Sequence, residues 1–144
     1  MTVANILRSK GNDDVVTVPP GTRVSEAARV LSEKRIGTVV ISADNKTALG
    51  ILSERDIVRE IGRRGPDALS DSVDAMMTTK LVTCDKDKKI DDVLSTMTEG
   101  RFRHMPVVED GKMVGLITLG DVVKHRITEL AMEKDALEGM IMGH

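Results

Sequence analysis

Two short stretches hold residues able to do chemistry. Gly50-Ile51-Leu52-Ser53-Glu54-Arg55-Asp56-Ile57-Val58 and Gly115-Leu116-Ile117-Thr118-Leu119-Gly120-Asp121-Val122-Val123 share one order: Gly, two aliphatics, a hydroxyl residue, two variable residues, Asp, two aliphatics. A buried strand that stops and a helix that starts at once would bring hydroxyl and carboxylate together at a helix N-terminus. Ser53 with Asp56, and Thr118 with Asp121, fit a capping box, in which each side chain satisfies a backbone N–H of the other. They also fit anion recognition, because free N–H groups and the positive dipole end attract phosphate there. A hydroxyl can donate to phosphate, and a carboxylate can accept from ribose hydroxyls. The local pattern leaves both readings open. Its recurrence, each time straight after an apolar strand, favours a nucleotide, with sugar on Asp and phosphate on Ser or Thr.

The elements that must position these residues come from an internal duplication. An offset of 66 aligns Thr17 with Thr83, Val24 with Ile90, Glu33 with Glu99, Arg35 with Arg101 and Ile36 with Phe102. After a one-residue deletion the offset of 65 aligns Gly50 with Gly115, Ser53 with Thr118 and Asp56 with Asp121. Val3-Ala4-Asn5-Ile6-Leu7 also resembles Val73-Asp74-Ala75-Met76-Met77. Each copy predicts β-α-β-β-α. In the first, Val15–Val18 is a β-branched strand. Pro19-Pro20-Gly21 breaks it, and Thr22 is expected to cap a helix over Val24–Lys34. Thr38–Ser42 and Ala48–Leu52 form a hairpin around Asp44-Asn45-Lys46, and Glu54–Arg64 is the second helix. The second copy predicts a strand at Leu81–Cys84 and a helix at Ile90–Glu99. A hairpin of Met105–Val108 and Met113–Ile117 turns at Asp110-Gly111, and a helix runs from Leu119 far past the repeat. Ala68–Met77 links the halves with a short helix near Val73–Met77. The fold class is α/β (α+β), with a first domain at 3–66, a second at 67–127 and a helical extension at 128–144.

Composition narrows the function. A net charge of −2 gives no global reason for a nucleic-acid or membrane partner. The only aromatic is Phe102, so a stacking platform for single strands is missing. No apolar run is long enough to cross a bilayer and no signal peptide is visible. The single Cys84 cannot form an internal disulfide, which makes a cytoplasmic location the default. His104 and His125 show no metal-ligand spacing with Cys84, so no metal site is expected. Arg55, Arg59 and Arg63 form one helix stripe, read first as a solvated face. Cys84 and the nine Met are read as packing. No nucleophile with a positioned base and no cluster of metal ligands appears, which argues against an enzyme.

The duplicated β-α-β-β-α unit and the two G-h-h-[ST]-x-x-D-h-h stretches resemble a tandem pair of CBS domains (named for cystathionine β-synthase), over residues 3–127. The resemblance implies one pseudo-twofold module with two clefts for adenosine-bearing ligands. AMP comes first, with ADP, ATP, NAD(H) or S-adenosylmethionine as further possibilities, and no catalytic cofactor. It also implies clefts that mix the halves. The first would join Ser53, Arg55 and Asp56 to Val82, Phe102, Arg103 and His104. The second would join Thr118, Gly120 and Asp121 to Val16, Ile36 and Gly37. Arg55 and Arg103 in the first, against Gly120 and Gly37 in the second, predict that the first tolerates more phosphate. Phe102 is read equally as core and as a wall for the base.

The resulting expectation is a non-catalytic sensor that binds an adenine nucleotide and reports to an effector protein. A homodimer is expected through Ile57, Val58 and Ile61 and through Val122, Val123, Ile127 and Leu130. Two alternatives remain: a ligand-free interaction module, and an enzyme acting on a bound nucleotide.

Overall fold

The computed structural model describes residues 1–10 and 15–142. Its elements are α1 (Val3–Lys10), β1 (Thr17–Val18), α2 (Val24–Lys34), β2 (Thr38–Ile41), β3 (Gly50–Ser53) and α3 (Glu54–Arg64). After a 3₁₀ turn at Pro66–Ser70 come α4 (Val73–Met76), α5 (Ile90–Gly100), β4 (His104–Glu109), β5 (Lys112–Thr118) and α6 (Leu119–Ile141). The fold is the expected mixture of two βαββα units with short sheets. Residues 143 and 144 of the predicted extension lie outside the described residues.

The chain divides into two compact units: Met1–Asp13 with Thr83–Glu109 and Gly115–His144, and Asp14–Val82 with Asp110–Val114. In the unit carrying the first motif, β1 runs parallel to β2, and β2 pairs antiparallel with β3, setting Val39 opposite Leu52 and Thr38 opposite Ser53. All four residues of β2 are buried, as expected of a central strand in a small sheet. Helix α2 lays Val24, Ala27 and Leu31 on Val39, Ile41 and Leu52, and Val73 of α4 joins the same core.

The unit carrying the second motif repeats this plan. Ile90, Val93 and Met97 of α5 pack with Met105, Val107, Ile117 and Val122. Val3 and Ile6 of α1 complete that core. The N-terminal segment, attached by the sequence to the first repeat, is thus built into the second. The linker helix α4 is built into the first. Backbone bonds are homologous at the two entrances. Val73 N–H donates to Thr22 O and Val24 N–H to Asp71 O, both at 2.8 Å. In the other unit Val3 N–H donates to Lys88 O at 2.9 Å and Ile90 N–H to Met1 O at 3.2 Å.

Two local expectations are corrected. The strand at Leu81–Cys84 is reduced to a single parallel bridge, Cys84 with Val107. That bridge is the counterpart, 66 residues on, of Val18 with Ile41; one residue earlier Thr83 would face Pro106, which has no N–H, whereas in the first unit Val40 N–H donates to Val16 O at 3.0 Å. Thr22 does not cap α2, whose N-cap is Arg23 with no side-chain bond. The Thr22 hydroxyl donates instead to Pro19 O at 2.7 Å, closing the turn behind it.

The glycines that open the motifs have a packing reason. A Cβ on Gly50 would stand 2.5 Å from Met77 Sδ and 3.1 Å from the Thr78 carbonyl oxygen. One on Gly115 would stand 2.6 Å from Leu7 Cδ2. Each glycine lets a short helix, α4 at Gly50 and α1 at Gly115, lie against the motif strand. Gly50→Val should therefore lower stability by about 1–3 kcal/mol through overpacking, read as a fall in the urea midpoint. Gly50→Ala should cost less, because the Met77 side chain can move aside.

Candidate functional site

Each motif strand ends at its hydroxyl residue and each motif helix begins at the next residue. Ser53 and Thr118 are the N-caps of α3 and α6, both in extended conformation. Both copies form the complete capping box. Ser53 N–H donates to Asp56 Oδ2 at 2.9 Å, and Asp56 N–H donates to Ser53 Oγ at 3.2 Å. Thr118 N–H donates to Asp121 Oδ2 at 3.0 Å, and Asp121 N–H donates to Thr118 Oγ1 at 3.1 Å. The capping therefore fixes hydroxyl and carboxylate side by side at the positive end of each helix.

The carboxylates differ in their further partners. In the first copy the Ser53 hydroxyl itself donates to Asp56 Oδ2 at 2.9 Å. Arg59, one turn along α3, reaches Asp56 Oδ1 at 3.0 Å. The Arg59 side chain is 64% exposed, so this pair is screened and adds little stability. In the second copy Lys10 Nζ lies 2.9 Å from Asp121 Oδ2 and 3.0 Å from the Leu116 carbonyl oxygen. Burial pushes the Asp121 carboxyl up. The Lys10 ammonium and the Thr118 N–H outweigh it and hold the group below its ordinary value. His125 Nδ1 lies 2.9 Å from the Asp121 carbonyl oxygen, one turn down α6.

This has a pH consequence. A carboxyl held low in the folded state contributes stability that is complete above its unfolded value and is lost as pH falls through the folded value. Asp121→Asn should therefore lower the urea midpoint at pH 7. The gap to wild type should narrow below pH 3.8, the ordinary value of the group. A gap that stays constant from pH 7 to pH 3 would remove the Lys10–Asp121 pair from the account of stability.

Two of the walls named from the sequence, Gly37 and Arg103, abut the motif helix of their own unit. The Gly37 carbonyl accepts from Glu54 N–H at 2.8 Å, so the residue before β2 abuts the start of α3. Val16 and Ile36 pack against the same unit's core. Correspondingly, the Arg103 carbonyl accepts from Leu119 N–H at 2.8 Å. Phe102 packs against the core of the second-motif unit, and His104 opens β4. Arg55 and Gly120 are exposed on the first turns of α3 and α6. Val82 is exposed outside any strand. Sequence reasoning missed Lys10 altogether. It follows the stretch that aligns with the linker, and only the fold brings it to Asp121.

A family model for the CBS domain matches this chain twice, at residues 3–63 and 73–128. The chain belongs to the CBS domain family. Among solved structures, a CBS-domain containing protein from Agrobacterium tumefaciens is 42% identical, with a TM-score of 0.82 over 88% of this chain and 99% of that one. A mitochondrial CBS domain-containing protein of Arabidopsis thaliana is 29% identical over 99% of this chain and 72% of its own length. Other curated relatives are longer, this chain spanning from 22% to 67% of them. A CBS domain protein from Pyrobaculum aerophilum, complexed with AMP, shares the fold at 22% identity, with a TM-score of 0.72 over 84% of this chain and 89% of that one. No described helix of the CBS pair is long and apolar enough to cross a membrane.

Proposed function

We propose that this CBS pair is a non-catalytic sensor that binds an adenosine-bearing ligand at its motif residues. The observation that carries this is the pairing, in both copies, of a hydroxyl and a carboxylate fixed together at a helix N-terminus. Asp56 and Asp121 would accept from ribose hydroxyls. Ser53 and Thr118, with the helix ends and Arg55, would meet phosphate. AMP is the first ligand to try, supported by the AMP complex of the Pyrobaculum aerophilum relative; ATP, ADP and NAD(H) follow. The test is mass spectrometry of small molecules released by heating the purified protein, together with thermal shift. A ligand at about 100 times its dissociation constant should add roughly 2.7 kcal/mol of stability. No released nucleotide and no shift with any adenine nucleotide would leave a ligand-free interaction module. That second reading has its own support, since the capping boxes alone give both motifs a structural role.

The sensor would act in the cytoplasm as a homodimer and report to an effector protein. Self-association is supported by exposed aliphatics on the helices after the motifs: Val58 at 68%, Ile127 at 62% and Leu130 at 46%. Light scattering at micromolar concentration checks it, and a monomer there would overturn it.

A further inference from the structure

The two motif copies part company just after the helix that covers each glycine. Leu7 lies on Gly115 as Met77 lies on Gly50. Beyond Met77 the chain leaves α4 and becomes extended. Thr78 N–H donates to Ile51 O at 2.9 Å, and Ile51 N–H donates to Thr78 O at 3.0 Å. Beyond Leu7 the chain stays helical to Lys10. Leu116 is the repeat counterpart of Ile51, and its carbonyl is met by the Lys10 ammonium instead. The same ammonium holds Asp121. Lys80 follows Met77 as Lys10 follows Leu7, but it lies past the end of α4 and is exposed. The repeat therefore delivers a lysine to one motif only.

We propose that Lys10 is the specificity-determining residue of the second motif, giving that copy the cation for a nucleotide's phosphate that Gly120 cannot supply. This rests on the reading of the motifs as nucleotide sites. An ammonium has three N–H donors. Two are committed, to Asp121 Oδ2 and to Leu116 O, and the third remains for a ligand. The Lys10 side chain is 25% exposed, so a ligand can reach it. The Lys10 and Thr118 N–H bonds both fall on Oδ2, which leaves Oδ1 with acceptor capacity for sugar hydroxyls. Phosphate donor and hydroxyl acceptor thus stand on one carboxylate–ammonium pair. The sequence reading, which placed the cations with the first motif through Arg55 and Arg103, underrated the second.

Calorimetric titration with AMP and with adenosine tests this on the full chain carrying Asp56→Ala, so that the second motif alone reports. Lys10→Met should weaken AMP by about ten- to a hundredfold, the range of one charge-assisted hydrogen bond, and adenosine far less. Lys10→Arg should keep most of the AMP affinity. Lys10→Gln retains a donor toward Asp121 without the charge and should lose AMP like Lys10→Met, which keeps the test open if the methionine variant does not fold. Equal losses for AMP and adenosine, or no change in either, would overturn the role of Lys10 and leave the nucleotide reading intact. Failure of the parent protein, with both motifs intact, to bind either compound would overturn both.

Discussion

Asp56→Ala and Asp121→Ala, combined in one chain, should weaken adenine-nucleotide binding by more than about tenfold at each motif. Each carboxylate is asked to accept from ribose hydroxyls, and a hydrogen bond to a charged group contributes about 1.5–3 kcal/mol, or more than tenfold apiece. The same carboxylates also cap α3 and α6, so each alanine should cost about 1 kcal/mol of stability as well. The two effects separate in Asp56→Asn, whereas Asp121→Asn keeps the cap but also loses the Lys10 ion pair. An amide oxygen can still accept from the N-cap N–H, so helix starts should survive, while the charge that strengthens the sugar contacts is gone. Titration calorimetry gives the first quantity and urea unfolding the second. Asparagine variants that bind AMP as well as wild type would reduce the motif carboxylates to caps.

The motif was legible because its determinants are local. A capping box is read off four consecutive residues, and both copies formed it with the expected partners. Helix α2 began and ended where the spacing of Val24, Ala27 and Leu31 predicts. Two kinds of feature escaped. The first is non-Gly left-handed backbone. Arg35 and Arg101 end α2 and α5 with φ of 54° and 55°, at a position where glycine is the usual signal and arginine gives none. The second is long-range placement. The spacing of Val3, Ile6 and Leu7 announces an apolar helix face, but no stripe names the core it will enter. The ion pair of Lys10 with Asp121 depends on that placement, so a pass along the chain could not find it. Cys84 shows a weaker form of the same limit. One bridge forms there in the register of its repeat partner Val18, but the strand around it does not.

Ile6→Ala should be among the most damaging single changes in the chain, and its damage should fall on the unit of the second motif. Ile6 is fully buried, within a cluster that includes Ile90, Val93, Met97 and Met105. Removing a buried isoleucine to alanine costs about 2–5 kcal/mol, depending on how far the cavity collapses. A domain of ordinary stability has about 5–15 kcal/mol in all, so the variant should melt well below wild type. Location is the sharper readout. Hydrogen exchange should lose protection first at Val107 and Ile117, which share the Ile6 core, and later at Val39 and Leu52, which do not. The reverse order would return the N-terminal segment to the first repeat. Val73→Ala is the matching experiment on α4, where the early loss should come at Val39 and Leu52. If both hold, deleting α1 would remove Lys10 and the core support of α5 together. The motif at Thr118 and Asp121 would then fail although the deletion lies more than a hundred residues away in sequence.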